Sequence, residues 1–438
     1  MTASPVAAAP YPSTRTIAHL LAEARERTLL LISGLSDEDL HLQHDPLMSP
    51  IIWDVGHIAH FEELWLTRNL NGPIEFSEMP GIYNPFEHPR ASRSALALPT
   101  LGAMTARLAE IRERVLGQLE TLDWDYANPL LRDGYVYTMV LQHEYQHNET
   151  ILQTLQLKKG EPYHPPQRIV PPPGRAVEKS AVLFQGGTVT IGTDDRSAAY
   201  DNERPRHEMT LRAFEIDSSP VTNGRYVEFI QDQGYRREDL WSVAGRRWLS
   251  ESGAEAPKYW TRDSGGWMQR TMNIVRPVDP DRAVCHVCYY EAEAFAKWDG
   301  KRLPTEFEWE AAAAWDFDAG CARAYPWGET IMRSHANVDQ LAFDTAPVGA
   351  YERNVSPSGC YGMIGDVWEW TSSDFHGYPG FESFPYREYS EEFFGNDYKV
   401  LRGGSWATRP GAIRNTFRNW DYPIRRQIFS GFRCARDV

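Results

Sequence analysis

The stretch "GEPYHPPQRIVPPPGRA", residues 160–176, constrains the fold more than any other. It holds six prolines between Pro162 and Pro173. Proline lacks an N–H and has a fixed φ, so such a run fits neither a helix interior nor a central strand. It predicts an extended, semi-stiff connector. The chain of 438 residues is too long for one typical core. Composition places the expected divisions at a leader over 1–14, a helical part over 15–160, the connector over 161–180 and a second domain over 181–438.

The part before the connector has helical periodicity. "RTIAHLLAEARERTLLLISGL" carries Ile17, Leu20, Leu21 and Ala24 on one face. "MSPIIWDVGHIAHFEELWLTRNL" places Trp53, His57, His60, Phe61 and Leu64 on one side, and its Ser49-Pro50 suits a helix start. "TLGAMTARLAEIRERVLGQLETL" and "GYVYTMVLQHEYQHNETILQTLQL" complete four segments, which predict an antiparallel four-helix bundle. After the connector, short β-like runs ("FQGGTVTIGT", "KVLRGGSW") alternate with Gly, Asn, Asp and Pro, with a few helical stretches between. This part reads as an irregular α+β domain.

The net charge of -15 argues against a nucleic-acid partner. No apolar run reaches the length of a membrane helix, and the Ala/Pro/Ser-rich start lacks the features of a signal peptide. Five Cys without a dense framework fit a reducing compartment, with cytoplasm the default. "CHVC" (Cys285 to Cys288) reads as small residues in or beside a strand, not as a redox pair.

"HEYQHNE", residues 143–149, carries the chemistry. His143 and His147 stand at i and i+4 and so share one helix face. Val136, Met139, Val140 and Ile151 share it, which turns the imidazoles toward the core. Two uncompensated imidazoles there would be costly, and a metal is their natural partner. The bland alternative is a hydrogen-bonded core pair. The run also fits HExxH, in which Glu144 is the base of a zinc peptidase and a third ligand lies downstream. The downstream candidates, Glu161 and His164, fall in or beside the proline run. The other route leads upstream, to His57 on a different helix, with His60 its rival one turn away. Three histidines with open positions suit iron(II) and O2, but spacing alone leaves iron and zinc both open.

"PLMSPIIWDVGHIAHFEELWL", "HPRASR" and "HEYQHNET" resemble the DinB-like domain of the ergothioneine-pathway sulfoxide synthases, the hercynine oxygenases. "DNERPRHEMTLRAFEIDSSPVTNGRYVEFI", "GKRLPTEFEWEAAAAW", "GDVWEWTSS", "LRGGSW" and "GFRCARDV" resemble the formylglycine-generating-enzyme scaffold, a C-type-lectin-like fold. The likeness covers nearly the whole chain after the leader. It implies a DinB-like four-helix bundle followed by a C-type-lectin-like domain of the formylglycine-generating-enzyme type. The copper-binding cysteine expected shortly after "GGS" in that enzyme is missing here, so its scaffold is retained without its metal site.

The resemblance implies an iron(II)- and O2-dependent enzyme that joins a thiol to C2 of the hercynine imidazole as a sulfoxide. It assigns iron to His57, His143 and His147. It assigns the thiol donor, γ-glutamylcysteine or else cysteine, to Arg90, Arg93, Asp421 and Arg425; guanidinium forks suit carboxylates. Gln146, Asn419 and Trp420 match the hercynine pocket. Tyr386 matches the catalytic tyrosine, with Tyr389 its rival. Tyr83 lies in a segment that matches less closely, of a kind that carries active tyrosines in some cysteine-using members. Three rivals stand beside this reading: a zinc peptidase, a non-catalytic lectin-like binding module, and a DinB-like thiol transferase that needs no O2.

Overall fold

A computed structural model describes residues 13–70, 81–125, 127–177 and 180–438. The expected leader over 1–14 falls almost entirely outside them, and residues 71–80 fall outside them altogether. The chain divides into two compact units: one runs to Asn148 and includes Asp195–Ala198, and the other comprises Glu149–Asp194 and Ala199–Val438.

The first unit is helical. It contains α1 (Thr14–Ile32), the short α2 (Asp37–His41), α3 (Ile51–Glu63), α4 (Leu101–Glu120) and the first part of α5 (Tyr135–Leu157). Side-chain oxygens start three of them: Ser13, Ser36 and Thr100 each accept a backbone N–H of the first turn. Pro50 precedes α3, as "SP" predicted. α3 is buried on almost every side, which is why its sequence is apolar nearly all round. It ends in a π turn, Leu64–Arg68, that the helical pattern did not reveal.

The second unit opens with the end of α5. Glu149 there accepts hydrogen bonds from Trp368 Nε1, Ser405 Oγ and Thr408 Oγ1, at 2.7–2.8 Å. The proline-rich stretch follows as extended chain, and it is paired rather than loose. Tyr163 N–H donates to the Met272 carbonyl, Ile169 N–H to Leu341 and Arg175 N–H to Val348.

Then come β1 (Ala181–Phe184), β2 (Gly187–Ile191), β3 (His207–Leu211), β4 (Phe214–Asp217), α6 (Asn223–Gln231) and α7 (Val243–Ser252). β5 (Trp260–Asp263), β6 (Gly266–Thr271), β7 (Ile274–Pro277), α8 (Tyr289–Trp298), α9 (Glu306–Ala314), β8 (Trp315–Asp316) and β9 (Cys321–Ala322) follow. The last strands are β10 (Trp368–Phe375), β11 (Gly395–Arg402), β12 (Asn419–Asp421), β13 (Ser430–Gly431) and β14 (Ala435–Asp437). β1, β4 and β14 form one sheet and β12, β11, β10 and β13 another; β5, β6 and β7 form a third, and β2–β3 and β8–β9 are pairs. The sheet with β14 brings the C-terminal strand beside β4, antiparallel to it.

The sequence runs singled out above interlock by buried ion pairs in this unit. Arg433 of "GFRC" grips Glu369 of "WEW" at 2.7 Å, and Trp309 Nε1 shares that carboxylate. Arg402 of "LRGG" holds Glu310 at 2.6 Å, and Arg418 holds Glu306 at 2.7 Å. Burial of such charges is tolerable only with partners at this range. Gly404 has φ +75°, and a Cβ there would meet Ile413 Cδ1 at 2.1 Å, so the second glycine of "GGS" is sterically required. Cys285 and Cys288 are buried and unbridged. They lie not in a strand but in the approach to α8, where Cys288 N–H donates to Glu291 at the helix start. Among the described residues no helix is long and apolar enough to cross a membrane.

Candidate metal centre

α3 and α5 bring three imidazoles together. One ring nitrogen each from His57, His143 and His147 lies within 4.8 Å of the others. His57 comes from α3, and its ring stacks on Trp53 one turn earlier, centroids 4.9 Å apart. His143 and His147 share a face of α5, as the four-residue spacing requires. His143 stacks on Phe61 of α3 at 3.6 Å. Of the two rivals on α3, the cluster takes His57; His60 turns elsewhere.

Partners outside the trio fix how the rings present themselves. His57 Nδ1 lies 2.8 Å from the Tyr83 carbonyl, so it donates there and leaves the lone pair on Nε2. His147 Nδ1 lies 3.1 Å from Asp54 Oδ1, which fixes its tautomer in the same way. His143 Nε2 is 3.2 Å from His57 Nε2. Burial, then neighbouring His147, holds His57 and His143 well below the ordinary histidine range; His57 adds to the effect on His143. Neutral rings with convergent nitrogens are what a divalent cation needs, and imidazole suits iron, zinc, copper and nickel. Three such ligands on one ion would leave other coordination positions open. Asp54 and the Tyr83 carbonyl were missed in the sequence. An aspartate inside the apolar run "IIWDVGHI" is the one trace that could have exposed the first; a backbone carbonyl leaves none.

Glu144, the base of the peptidase reading, is committed elsewhere. Consecutive helix residues diverge by about 100°, and its carboxylate faces Arg25 Nε at 2.9 Å and Thr28 Oγ1 at 2.7 Å. Arg25 also holds Glu62 at 2.6 Å, and Arg112 reaches Glu62 at 2.6 Å. This buried network joins α1, α3, α4 and α5. Burial pushes the Glu144 carboxyl up, but the Arg25 guanidinium outweighs it and holds the group below the usual carboxylate range. A carboxylate so occupied does not activate water at the three histidines.

The remaining expected residues divide between the units. In the first, Arg93 Cζ lies over the Trp53 ring at 3.5 Å, and the side chain donates to Ser49 Oγ at 2.6 Å and the His88 carbonyl at 2.8 Å. Burial lowers its guanidinium to about 10. It stands one ring away from His57. Arg90 is exposed, at the start of the turn Arg90–Ala95, with Nη1 3.3 Å from the Leu47 carbonyl. Gln146 is half-buried on α5.

In the second unit, Asn419, Trp420 and Asp421 form β12 at the edge of its sheet. Trp420 stacks on Phe375 at 4.1 Å. Arg425 Nε approaches Asp421 Oδ1 at 3.4 Å, yet Nε and Nη1 are buried with no hydrogen-bond partner. Unpaired guanidinium N–H groups indoors are expensive, and a carboxylate ligand would satisfy them. Tyr389 is packed against Tyr200 at 4.2 Å and edge-on to Trp420. Tyr386 precedes the turn Arg387–Tyr389 and meets Tyr389 edge-on at 6.1 Å.

Comparison with known proteins agrees with both units. Residues 20–151 match the DinB superfamily, and 167–438 match the Sulfatase-modifying factor enzyme 1-like domain. The hercynine oxygenase of Mycolicibacterium thermoresistibile is 44% identical over 98% of this chain and 96% of its own. That of Mycobacterium tuberculosis is 43% identical over 97% of this chain and all of its own. The inactive C-alpha-formylglycine-generating enzyme 2 of Bos taurus is 30% identical over 60% of this chain and 89% of its own. With both domains matched in order and similarity sustained from end to end, the chain belongs to the hercynine oxygenase family.

Proposed function

We propose that this enzyme is a non-haem iron(II) sulfoxide synthase of ergothioneine biosynthesis. It joins the thiol of γ-glutamylcysteine to C2 of the hercynine imidazole, with cysteine as the alternative donor. The observation that carries the reading is the trio His57, His143 and His147, with two tautomers fixed from outside and the ring nitrogens convergent. Family membership turns that trio toward O2 chemistry.

The balance closes without an external reductant. One S–H and one C–H bond break, and C–S and S–O bonds form. One oxygen atom of O2 stays on sulfur and the other leaves as water with both hydrogens. When bound, iron(II) supplies a redox-active Lewis acid with open positions for a thiolate and O2.

The chain's own residues do the rest. His57, His143 and His147 hold the ion. Arg90, Arg93, Asp421 and Arg425 fix the donor, the arginines at its carboxylates and Asp421 at its amine. The unpaired N–H groups of Arg425 support that role. Gln146, Asn419 and Trp420 hold hercynine, whose quaternary ammonium is suited by an aromatic face. Tyr386 delivers a proton from its hydroxyl, favouring C–S bond formation over simple thiol oxidation; the packing of Tyr389 against Tyr200 supports this choice. The fold in this reading is an antiparallel four-helix bundle over 15–160, a connector over 161–180 and a C-type-lectin-like domain over 181–438.

The test is direct. Iron(II)-loaded protein, prepared anaerobically, is given hercynine and either thiol, O2 is admitted, and products are weighed by mass spectrometry. We expect the sulfoxide adduct, in higher yield with γ-glutamylcysteine. No adduct with either thiol would sink the reading, and turnover without O2 would favour a thiol transferase.

A further inference from the structure

One stretch of chain both orients a candidate metal ligand and carries a candidate donor contact. Trp53 and His57 stand one turn apart on α3, their rings stacked with centroids 4.9 Å and planes 10° apart. Each donates its ring N–H to the segment that leads to Arg93. Trp53 Nε1 reaches the Ile82 carbonyl at 2.6 Å, and His57 Nδ1 reaches the Tyr83 carbonyl at 2.8 Å. Consecutive carbonyls therefore fix two stacked rings of the helix. Further along the same segment, the Arg93 guanidinium also lies over Trp53, with Cζ 3.5 Å from the ring centroid. Ser49 Oγ and the His88 carbonyl hold it through Nη1 and Nε, and among the described residues Nη2 has no hydrogen-bond partner.

A second link runs beside the first. Asp54, next to Trp53 in the chain, accepts from His147 Nδ1 at 3.1 Å. Its charge also acts on Arg93. Two of the three histidines are thus tied to one arginine, one through an indole and one through a carboxylate.

A ring stacked on an imidazole limits its rotation, and a guanidinium laid over that ring limits it further. Ordering one member of such a stack leaves less disorder to be lost when the next is ordered. Charge alone would act with the same sign through space, because a carboxylate at Arg93 offsets a cation that opposes a divalent ion. The stack differs from charge in depending on shape.

We propose that Trp53 is a positioning residue that couples the donor contact Arg93 to the metal centre. A carboxylate bound at Arg93 tightens the hold of the histidines on the ion. The bound ion tightens the carboxylate by the same factor, as linkage requires. This coupling requires Arg93 to act as a donor contact and the three histidines as metal ligands, as proposed above. The centre then holds its ion most firmly when the thiol donor is in place.

Titration calorimetry of the full-length protein measures the coupling, with γ-glutamylalanine as the probe. This dipeptide keeps the carboxylates and amine of the donor but has no thiol to reach the ion. Zinc, which has no redox chemistry, stands in for iron. In the wild-type protein we expect γ-glutamylalanine to bind about tenfold more tightly with zinc than without it. Arg93→Lys keeps the charge and loses the planar fork, and Trp53→Leu removes the indole. In both, the zinc effect should fall below about twofold. Trp53→Phe keeps an aromatic face and should retain most of the effect. Arg93→Lys carries the test where circular dichroism shows Trp53→Leu to be unfolded. No zinc effect in the wild type, or an undiminished effect in Arg93→Lys, would overturn the proposal; the second result would mean that charge acts through space. Failure of γ-glutamylalanine to bind with or without zinc would overturn it too, by removing the donor contact. Sulfoxide formation in a protein without the zinc effect would sink the coupling alone and leave the proposed activity standing.

Discussion

A single residue decides between two chemistries in "HEYQHNE". Glu144 is the hallmark of a hydrolytic reading, yet its oxygens are taken by Arg25 and Thr28. Glu144→Gln therefore acts on stability: one charge is stripped from a buried network and Arg25 is left underpaired, at a cost of about 3–5 kcal/mol in urea unfolding. The pH dependence follows from its lowered carboxyl. The stabilisation is complete above the unfolded glutamate value of about 4.3 and disappears as pH falls through the lower folded value. On the role proposed for Tyr386, Tyr386→Phe should act on chemistry instead. Loss of one positioned proton donor should cut sulfoxide formation about a hundredfold and divert O2 to thiol oxidation, read by mass. At this scale the sequence was informative where a rule is local. His143 and His147 follow from a four-residue step, while the core-facing stripe of α3 offered both His57 and His60 and the resemblance chose between them. Asp54 and the Tyr83 carbonyl follow from partners on other segments, and no local rule reaches them.

Among elements, the segment that carries Tyr386 is tethered by one buried acid. Asp201, in the turn Asp201–Glu203, accepts the Phe384 backbone N–H at 3.1 Å and the Ser390 hydroxyl. Asp201→Ala should release residues 384–390 and shift products toward thiol oxidation, as Tyr386→Phe does, with Tyr386 still present. Burial raises the Asp201 carboxyl to about 6. A raised acid binds its proton more tightly in the folded state, so this group's contribution to stability falls as pH rises from about 3.9 toward 6. Asp201→Asn should flatten that slope in thermal melts taken across the interval. The long helices were legible from apolar residues at helical spacing, and α3 also from the Ser49-Pro50 pair at its start. The π turn after α3 and the helix-capping role of Cys288 were not, since both depend on where the neighbouring chain forces a backbone to stop.

For the whole molecule, the three candidate metal ligands belong to one unit, and removal of a metal they hold should be felt there. A ligand that binds only the folded state at a hundredfold excess over its dissociation constant adds about 2.7 kcal/mol. Chelation should lower the melting temperature, and hydrogen exchange should quicken in α3 and α5 before it does in the sheets of the second unit. Equal acceleration throughout would argue against a metal held by the helical unit. The proline-rich stretch carries a further practical lesson. Its composition is that of a spacer, and trimming a recombinant fragment to begin at Ala181 would look harmless. Such a cut would strip the backbone donors that satisfy the carbonyls of Met272, Leu341 and Val348. A fragment that starts ahead of Tyr163 should be the one that expresses solubly.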